Sequence, residues 1–149
     1  MENRINYFEK GQKAIATLFG TATYLKKSTI EKQLLELVDF RVSQINKCAY
    51  CLDMHSKELR ALGETEQRIY GLSAWKEAPY YTERERVALE WAEAVTESEV
   101  SDQTYVKASH EFSDEELIDL TLAVTAINTW NRFNIALYNP VGSYKVGQF

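Results

Sequence analysis

Cysteine is scarce: the chain of 149 residues has two, Cys48 and Cys51. A secreted domain built on disulfides carries more of them, spread along its length. Proline is equally rare, with two residues, and glycine numbers six. These shortages exclude collagen-like chains, linker-rich chains and all-β folds with a turn every few residues. An excess of positive charge is also missing. Lys and Arg total 17 against 22 Asp and Glu, a net charge of −5, which argues against a nucleic-acid partner or an anionic membrane surface. No apolar run reaches the roughly 18 residues that mark a bilayer span. The longest uncharged stretch in a helical pattern, Leu120 to Asn131, is shorter and carries Thr and Asn. No apolar region follows Met1-Glu2-Asn3-Arg4, so no signal peptide is expected and the expected location is the cytoplasm.

What remains is ordinary for a soluble domain: 45% hydrophobic and 26% charged residues. A chain of this length buries about 68–70% of its unfolded surface and needs no staples. One domain over residues 1–149 is expected, with no repeat, linker or low-complexity tract.

The pattern along the chain is helix after helix. Ser28-Thr29-Ile30-Glu31 has the form of a capping box, in which a hydroxyl and a Glu satisfy each other's backbone N–H groups. Ile30, Leu34, Leu37, Val38, Val42 and Ile45 follow at helical spacing. Thr82-Glu83-Arg84-Glu85 opens a second helix, and Ser113-Asp114-Glu115-Glu116 opens a long one running to about Tyr138, before Asn139-Pro140. Shorter helices are expected over Cys48–Leu62 with Gly63 past its end, over Glu66–Glu77 and over Asp102–Glu111. Tyr7 to Phe19 gives a weaker pattern broken by Gly11. No segment alternates with period two between turn signals. The expected fold is an all-α, single-domain multi-helix bundle.

Chemistry is concentrated in Asn46-Lys47-Cys48-Ala49-Tyr50-Cys51-Leu52-Asp53-Met54-His55. With Asn46 as the cap, Cys48 falls in the first turn, where the positive helix end favours a thiolate. At about 100° per residue, Cys51 lies about 60° from Cys48, and His55 lies about 20° and 40° from the two thiols. All three share a face. Two thiols three residues apart can close a disulfide, and an imidazole one turn on can move a proton.

Glu36 is the further candidate. On one straight helix it would stand about 18 Å from Cys48; if the chain folds back near Asn46, it comes level with His55. A carboxylate there orients the ring and raises its basicity. Taken from these residues alone, the cysteine pair admits redox chemistry, metal binding or an inert core position. A closed zinc site wants four N or S ligands, and the only His besides His55 is His110, in a separate helix. A thioredoxin-like site needs a βαβ context that is missing here. Trp75, Trp91 and Trp130 are expected as core or interface anchors and Tyr80-Tyr81 as packing beside Pro79. Glu83-Arg84-Glu85-Arg86 is expected as a solvated charged face. The amide-rich Asn128-Thr129-Trp130-Asn131-Arg132-Phe133-Asn134 fits a pocket, an interface or chance polarity.

The order Glu36, eleven residues, Cys48-x-x-Cys51, three residues, His55 resembles the AhpD-like alkylhydroperoxidase core of the carboxymuconolactone decarboxylase family. The flanks Phe40–Asn46, Lys57–Glu66, Leu72–Trp75, Glu83–Leu89 and Trp130–Asn134 are similar to the family's as well, so the resemblance covers residues 30 to 140. It implies an all-helical homo-oligomer, a trimer or hexamer. It implies peroxidase chemistry on a hydroperoxide, with Cys48 and Cys51 as the redox pair, Glu36 and His55 as proton relay, and a dithiol or protein reductant. Neither cofactor nor metal is expected. AhpD itself has a histidine where Tyr50 stands here, which implies a simpler relay or another substrate. Adjacency to His55 and the resemblance favour Cys51 as attacking thiol; the helix end favours Cys48. The alternatives are a decarboxylase or lyase of the carboxymuconolactone type, whose members generally lack the cysteine pair, and a non-enzymatic thiol- or metal-binding module.

Overall fold

The third helix of the chain is apolar on two sides, and the architecture is built around it. The computed structural model describes residues 3–149; Met1 and Glu2, the start of the stretch read for a leader, lie outside them. Among the described residues the α-helices are α1 (Tyr7–Lys10), α2 (Gln12–Leu25), α3 (Lys32–Ile45), α4 (Ala49–Ala61), α5 (Glu66–Gly71), α6 (Glu83–Glu97), α7 (Asp102–Glu111) and α8 (Asp114–Leu137). A 3₁₀ turn, Leu72–Ala74, follows α5, and no strand is present among the described residues. The fold is all-α. None of these helices is long and apolar enough to cross a membrane.

Helix α3 packs against α4, α6 and α8. Leu34, Val38 and Val42, four residues apart, enter one core with Val87, Trp91, Leu120 and Val124. Leu37 and Phe40 enter a second core with Leu59, Leu72, Trp75 and Leu89. Burying a residue such as Leu37, 1% exposed, contributes about 1.5–3 kcal/mol. The third side of α3 carries Glu36, Asp39 and Ser43 and is left for polar work. Helix α8 is the other central element, touching α2, α3, α4, α6 and α7.

Two of the three expected capping boxes form. Thr82 pairs with Glu85 at the start of α6, and Ser113 pairs with Glu116 at the start of α8. The third does not. Helix α3 begins at Lys32, after Glu31, with no side-chain cap. Ile30 is drawn into the core, and the Glu31 carboxylate is taken by Arg84 of α6 at 3.0 Å. The Ser28 hydroxyl is left buried without a partner.

The helix expected over Glu66–Glu77 stops at Gly71. Leu72 and Trp75 must both be buried, and the tighter turn there brings them to the core. Arg86 then gathers the loop by donating to the carbonyls of Trp75, Lys76, Ala78 and Tyr81. Arg84 lies 4.3 Å over the ring of Phe112 and bonds to Glu116 at 2.6 Å. Arg84, Glu85, which pairs with Arg68, and Arg86 are therefore tertiary ties rather than a free charged face; Glu83 alone of the run is exposed. Tyr7–Phe19 is split at Gly11 into α1 and α2, and α2 continues six residues further, to Leu25. Gly63 takes a left-handed φ of 89° just past α4. Its N–H reaches the Arg60 carbonyl at 3.1 Å and the next N–H reaches Leu59 at 2.9 Å, a glycine-dependent helix end.

Candidate active site

The chain reverses between α3 and α4. Lys47 takes a left-handed φ of 58°, and Cys48 is the residue that caps α4. Its Sγ accepts the N–H of Cys51 at 3.3 Å. Asn46 was the expected cap, but its side chain is used elsewhere. Its Nδ2 donates to Oδ1 of both Asn128 and Asn131 on α8, each at 2.9 Å. Asn131, fully buried, donates in turn to Ser43 Oγ at 3.0 Å. A buried amide must be paired, and this pairing pins the reversal to α8. Cys48 thus sits at the cap rather than within the first turn.

Cys48 and Cys51 are joined in a disulfide, with Cα atoms 5.3 Å apart, and both are buried. One turn on, His55 Nδ1 lies 2.8 Å from Glu36 Oε2. The fold-back therefore brings the carboxylate of α3 to the imidazole of α4. The other ring nitrogen, His55 Nε2, is buried without a hydrogen-bond partner. Burial alone would make the ring harder to protonate. The Glu36 hydrogen bond and the charges of Asp39, Glu36 and Glu58 outweigh it and hold the ring's pKa above its usual value.

Asp39 was not among the sequence candidates, yet it joins the group. Glu36, Asp39 and His55 each offer a ligand-type atom, all within 4.8 Å of one another. Burial pushes the Asp39 carboxyl up to about 7, His55 pulls it down, and Glu36 adds to the rise. Glu58, one turn past His55, is fixed from the far end of the chain. Tyr144 Oη donates to its Oε1 at 2.5 Å, and the Gly147 N–H does so at 2.8 Å. These bonds hold the Glu58 carboxyl below its usual range against the opposing effect of burial.

These groups border one cavity of about 420 Å³. Cys51, His55, Glu36, Asp39 and Glu58 stand on its walls, as do the rings of Phe8, Phe19, Trp130 and Phe149. Cys48 does not line it. The site is a sulfur and an imidazole at a chamber lined with aromatic rings, the form expected where a small organic molecule meets a few placed polar groups.

Asn134 of α8 belongs to the amide-rich segment expected at a pocket, an interface or by chance, and it lines the cavity; it was given no role of its own. Its Nδ2 donates to Cys51 Sγ at 3.5 Å and to the Trp130 carbonyl at 2.9 Å, while its Oδ1 accepts from Tyr7 Oη at 2.8 Å. A signal for Asp39 and for Asn134 was present. Glu36, Asp39, Ser43 and Asn46 recur at three and four along α3, and Asn128, Asn131 and Asn134 recur at three along α8. Each is a polar stripe on a helix whose neighbouring faces carry core residues.

Two carboxylates and one imidazole could in principle hold a divalent cation at Glu36, Asp39 and His55. The Glu36 oxygen is, however, already bonded to His55 Nδ1, so a cation would have to displace that contact. The two sulfurs are bonded to each other, which leaves no thiolate pair to coordinate one.

The site is thus an all-helical bundle's Cys-x-x-Cys disulfide at a helix start, beside a carboxylate–imidazole pair. The carboxymuconolactone decarboxylase family matches residues 10–94, and the chain belongs to this family. It is 39% identical over 146 residues to the uncharacterized protein YdfG of Bacillus subtilis strain 168, covering 96% of this chain and 99% of YdfG. Among solved structures, ATU0492 of Agrobacterium tumefaciens is a protein of unknown function proposed to be the antioxidant defence protein AhpD. It superposes with a TM-score of 0.91 at 38% identity, over 96% of this chain and all of that one. A peroxidase-related protein of Ralstonia eutropha JMP134 with an alkylhydroperoxidase AhpD core is 20% identical. It shares the fold with a TM-score of 0.78, over 89% of this chain and 72% of its own.

Proposed function

We propose that the chain is a thiol-dependent peroxidase acting on hydroperoxides. The observation that carries this reading is that Cys51 and His55 border one cavity while Glu36 holds the far side of the imidazole at 2.8 Å. In the reduced protein, His55 takes the Cys51 proton. The thiolate attacks the distal oxygen of the hydroperoxide and the O–O bond breaks. Sulfur is oxidised to a sulfenic acid, and the departing alkoxide takes the proton from His55 to leave as an alcohol. Cys48 then attacks the sulfenic sulfur. The S–O bond breaks, water leaves with the Cys48 proton, and the disulfide forms. A dithiol or protein reductant resets the pair and becomes a disulfide itself. Glu36 keeps Nδ1 engaged so that Nε2 faces the reaction.

The family resemblance supports a homo-oligomer, a trimer or hexamer. The test is hydroperoxide loss in the presence of a dithiol reductant, run beside Cys48→Ser/Cys51→Ser. Consumption by the parent chain and none by the double variant is the expected result. Equal rates, or no consumption by either, overturn the proposal; turnover of a lactone acid by the double variant puts a decarboxylase in its place.

A further inference from the structure

Cys51 is 1% exposed, and an apolar, buried setting makes a thiol harder to ionise. The acids near the cavity add negative charge and work in the same direction. A thiolate there needs donors aimed at sulfur. His55 can be one only in a particular protonation state. Asn134 is a donor at every pH.

The orientation of the Asn134 amide leaves no choice. The Trp130 carbonyl, 2.9 Å away, can only accept, so the amide nitrogen must face it. Oδ1 then faces Tyr7, whose hydroxyl donates at 2.8 Å. That hydroxyl oxygen accepts from Asn139 Nδ2 at 3.2 Å, which commits its own proton to Asn134. The remaining Nδ2 hydrogen points at Cys51 Sγ, 3.5 Å away. Asn134 and Tyr7 are both buried, at 7% and 4% exposure. A disulfide sulfur is a weak acceptor and a thiolate is a strong one, so this N–H interacts most favourably with the reduced, ionised protein.

We propose that Asn134 is a catalytic residue that stabilises the Cys51 thiolate by direct amide donation, with Tyr7 as the positioning residue that locks the amide. The inference rests on the peroxidase reading for the use made of that thiolate, but its test does not. In a Cys48→Ser background Cys51 is the sole thiol, and serine is a good helix cap at position 48. The other titratable groups lining the cavity are Tyr50, His55 and Glu58 on α4, Lys32, Glu36 and Asp39 on α3, Lys26 just past α2, Tyr7 on α1, and Tyr144. Replacing Asn134 takes the acceptor from the Tyr7 hydroxyl and breaks no hydrogen bond of the others.

Thiolate formation is followed by ultraviolet absorbance and by the pH profile of alkylation with iodoacetamide. Asn134→Leu is expected to raise the Cys51 pKa by about one to two units, the equivalent of one hydrogen bond to a charged group. Below the pKa, each unit means about tenfold less thiolate. Tyr7→Phe is expected to give a smaller rise in the same direction. An unshifted titration in folded Asn134→Leu overturns the proposal. If that variant fails to fold, an unshifted titration in Tyr7→Phe overturns it. A shifted titration without peroxide consumption removes the peroxidase reading and keeps Asn134; normal consumption with an unshifted titration does the reverse.

Discussion

Replacing Glu36 by Gln removes the negative charge beside His55 while nearly keeping the side chain's shape. The contact is 2.8 Å, with Glu36 and His55 side chains 17% and 5% exposed, so solvent screens it little. A hydrogen bond to a charged group contributes about 1.5–3 kcal/mol. Two unit charges about 4 Å apart at an effective dielectric of about 20 set a ceiling of about 4 kcal/mol. At about 1.36 kcal/mol per pKa unit, the His55 pKa should fall by about one to two units. Asp39 and Glu58 remain to hold up part of it. The ring binds its proton more tightly in the folded state than in the unfolded one. The stability this brings is complete below the unfolded value and fades as pH rises through the folded pKa. Glu36→Gln should therefore be most destabilised relative to the parent chain below the usual imidazole value of about 6.5, with the gap closing as pH rises. Proton NMR of the imidazole measures the shift directly. The only other histidine, His110, is exposed on α7, and His110→Gln leaves a single ring to follow. Hydroperoxide turnover should slow by roughly 10²-fold, the usual effect of losing a proton-transfer partner. An unchanged His55 midpoint would refute the electrostatic reasoning, and undiminished turnover would remove Glu36 from the mechanism.

Asp39, pushed up to about 7 from 3.8, carries the opposite sign to a paired carboxylate. The folded chain favours its protonated form and loses stability as pH rises between those values. Asp39→Asn should be more stable than the parent above about pH 7, by more than about 1 kcal/mol, with no such gain near pH 4. Thermal melts across that range check it, and parallel curves would refute it. Asn131→Ala leaves Asn46 and Ser43 short of partners in a buried site. Urea unfolding should show a loss of about 2–4 kcal/mol, and a loss under about 0.5 kcal/mol would mean that the pairing contributes little. Arg86→Met frees the carbonyls of Trp75, Lys76, Ala78 and Tyr81. Hydrogen exchange should accelerate across residues 75–82 while α6 stays protected; unchanged protection there would show that the loop holds without Arg86.

Local signals were legible where the partners were local. The Thr82 and Ser113 caps lie three residues from Glu85 and Glu116, and α7 runs over the expected Asp102–Glu111. The errors have distant causes. The box at Ser28 failed because Arg84, 53 residues from Glu31, competes for its carboxylate. Asn46 is a good cap by type, but its amide is claimed by Asn128 and Asn131, 82 and 85 residues away, and cysteine took the cap position. Asp39 was legible and was passed over, because Glu36 was weighed singly instead of as one member of a polar stripe. Asn134 reaches Cys51 across 83 residues and Tyr7 across 127; its place in the α8 stripe could be read in the sequence, but its partners could not.

The ladder of amides on α8 has a mechanical consequence. Methyl groups in contact tolerate sliding, since dispersion has little directional preference. Amide bonds do not, because their geometry is narrow. Shifting α8 along its axis by one residue, about 1.5 Å, would strain the bonds of Asn128, Asn131 and Asn134 together. The central helix is thereby keyed at the end nearest the sulfurs. A slide of α8 would carry Asn134 off the Cys51 sulfur and release Asn46 at the reversal that holds Cys48.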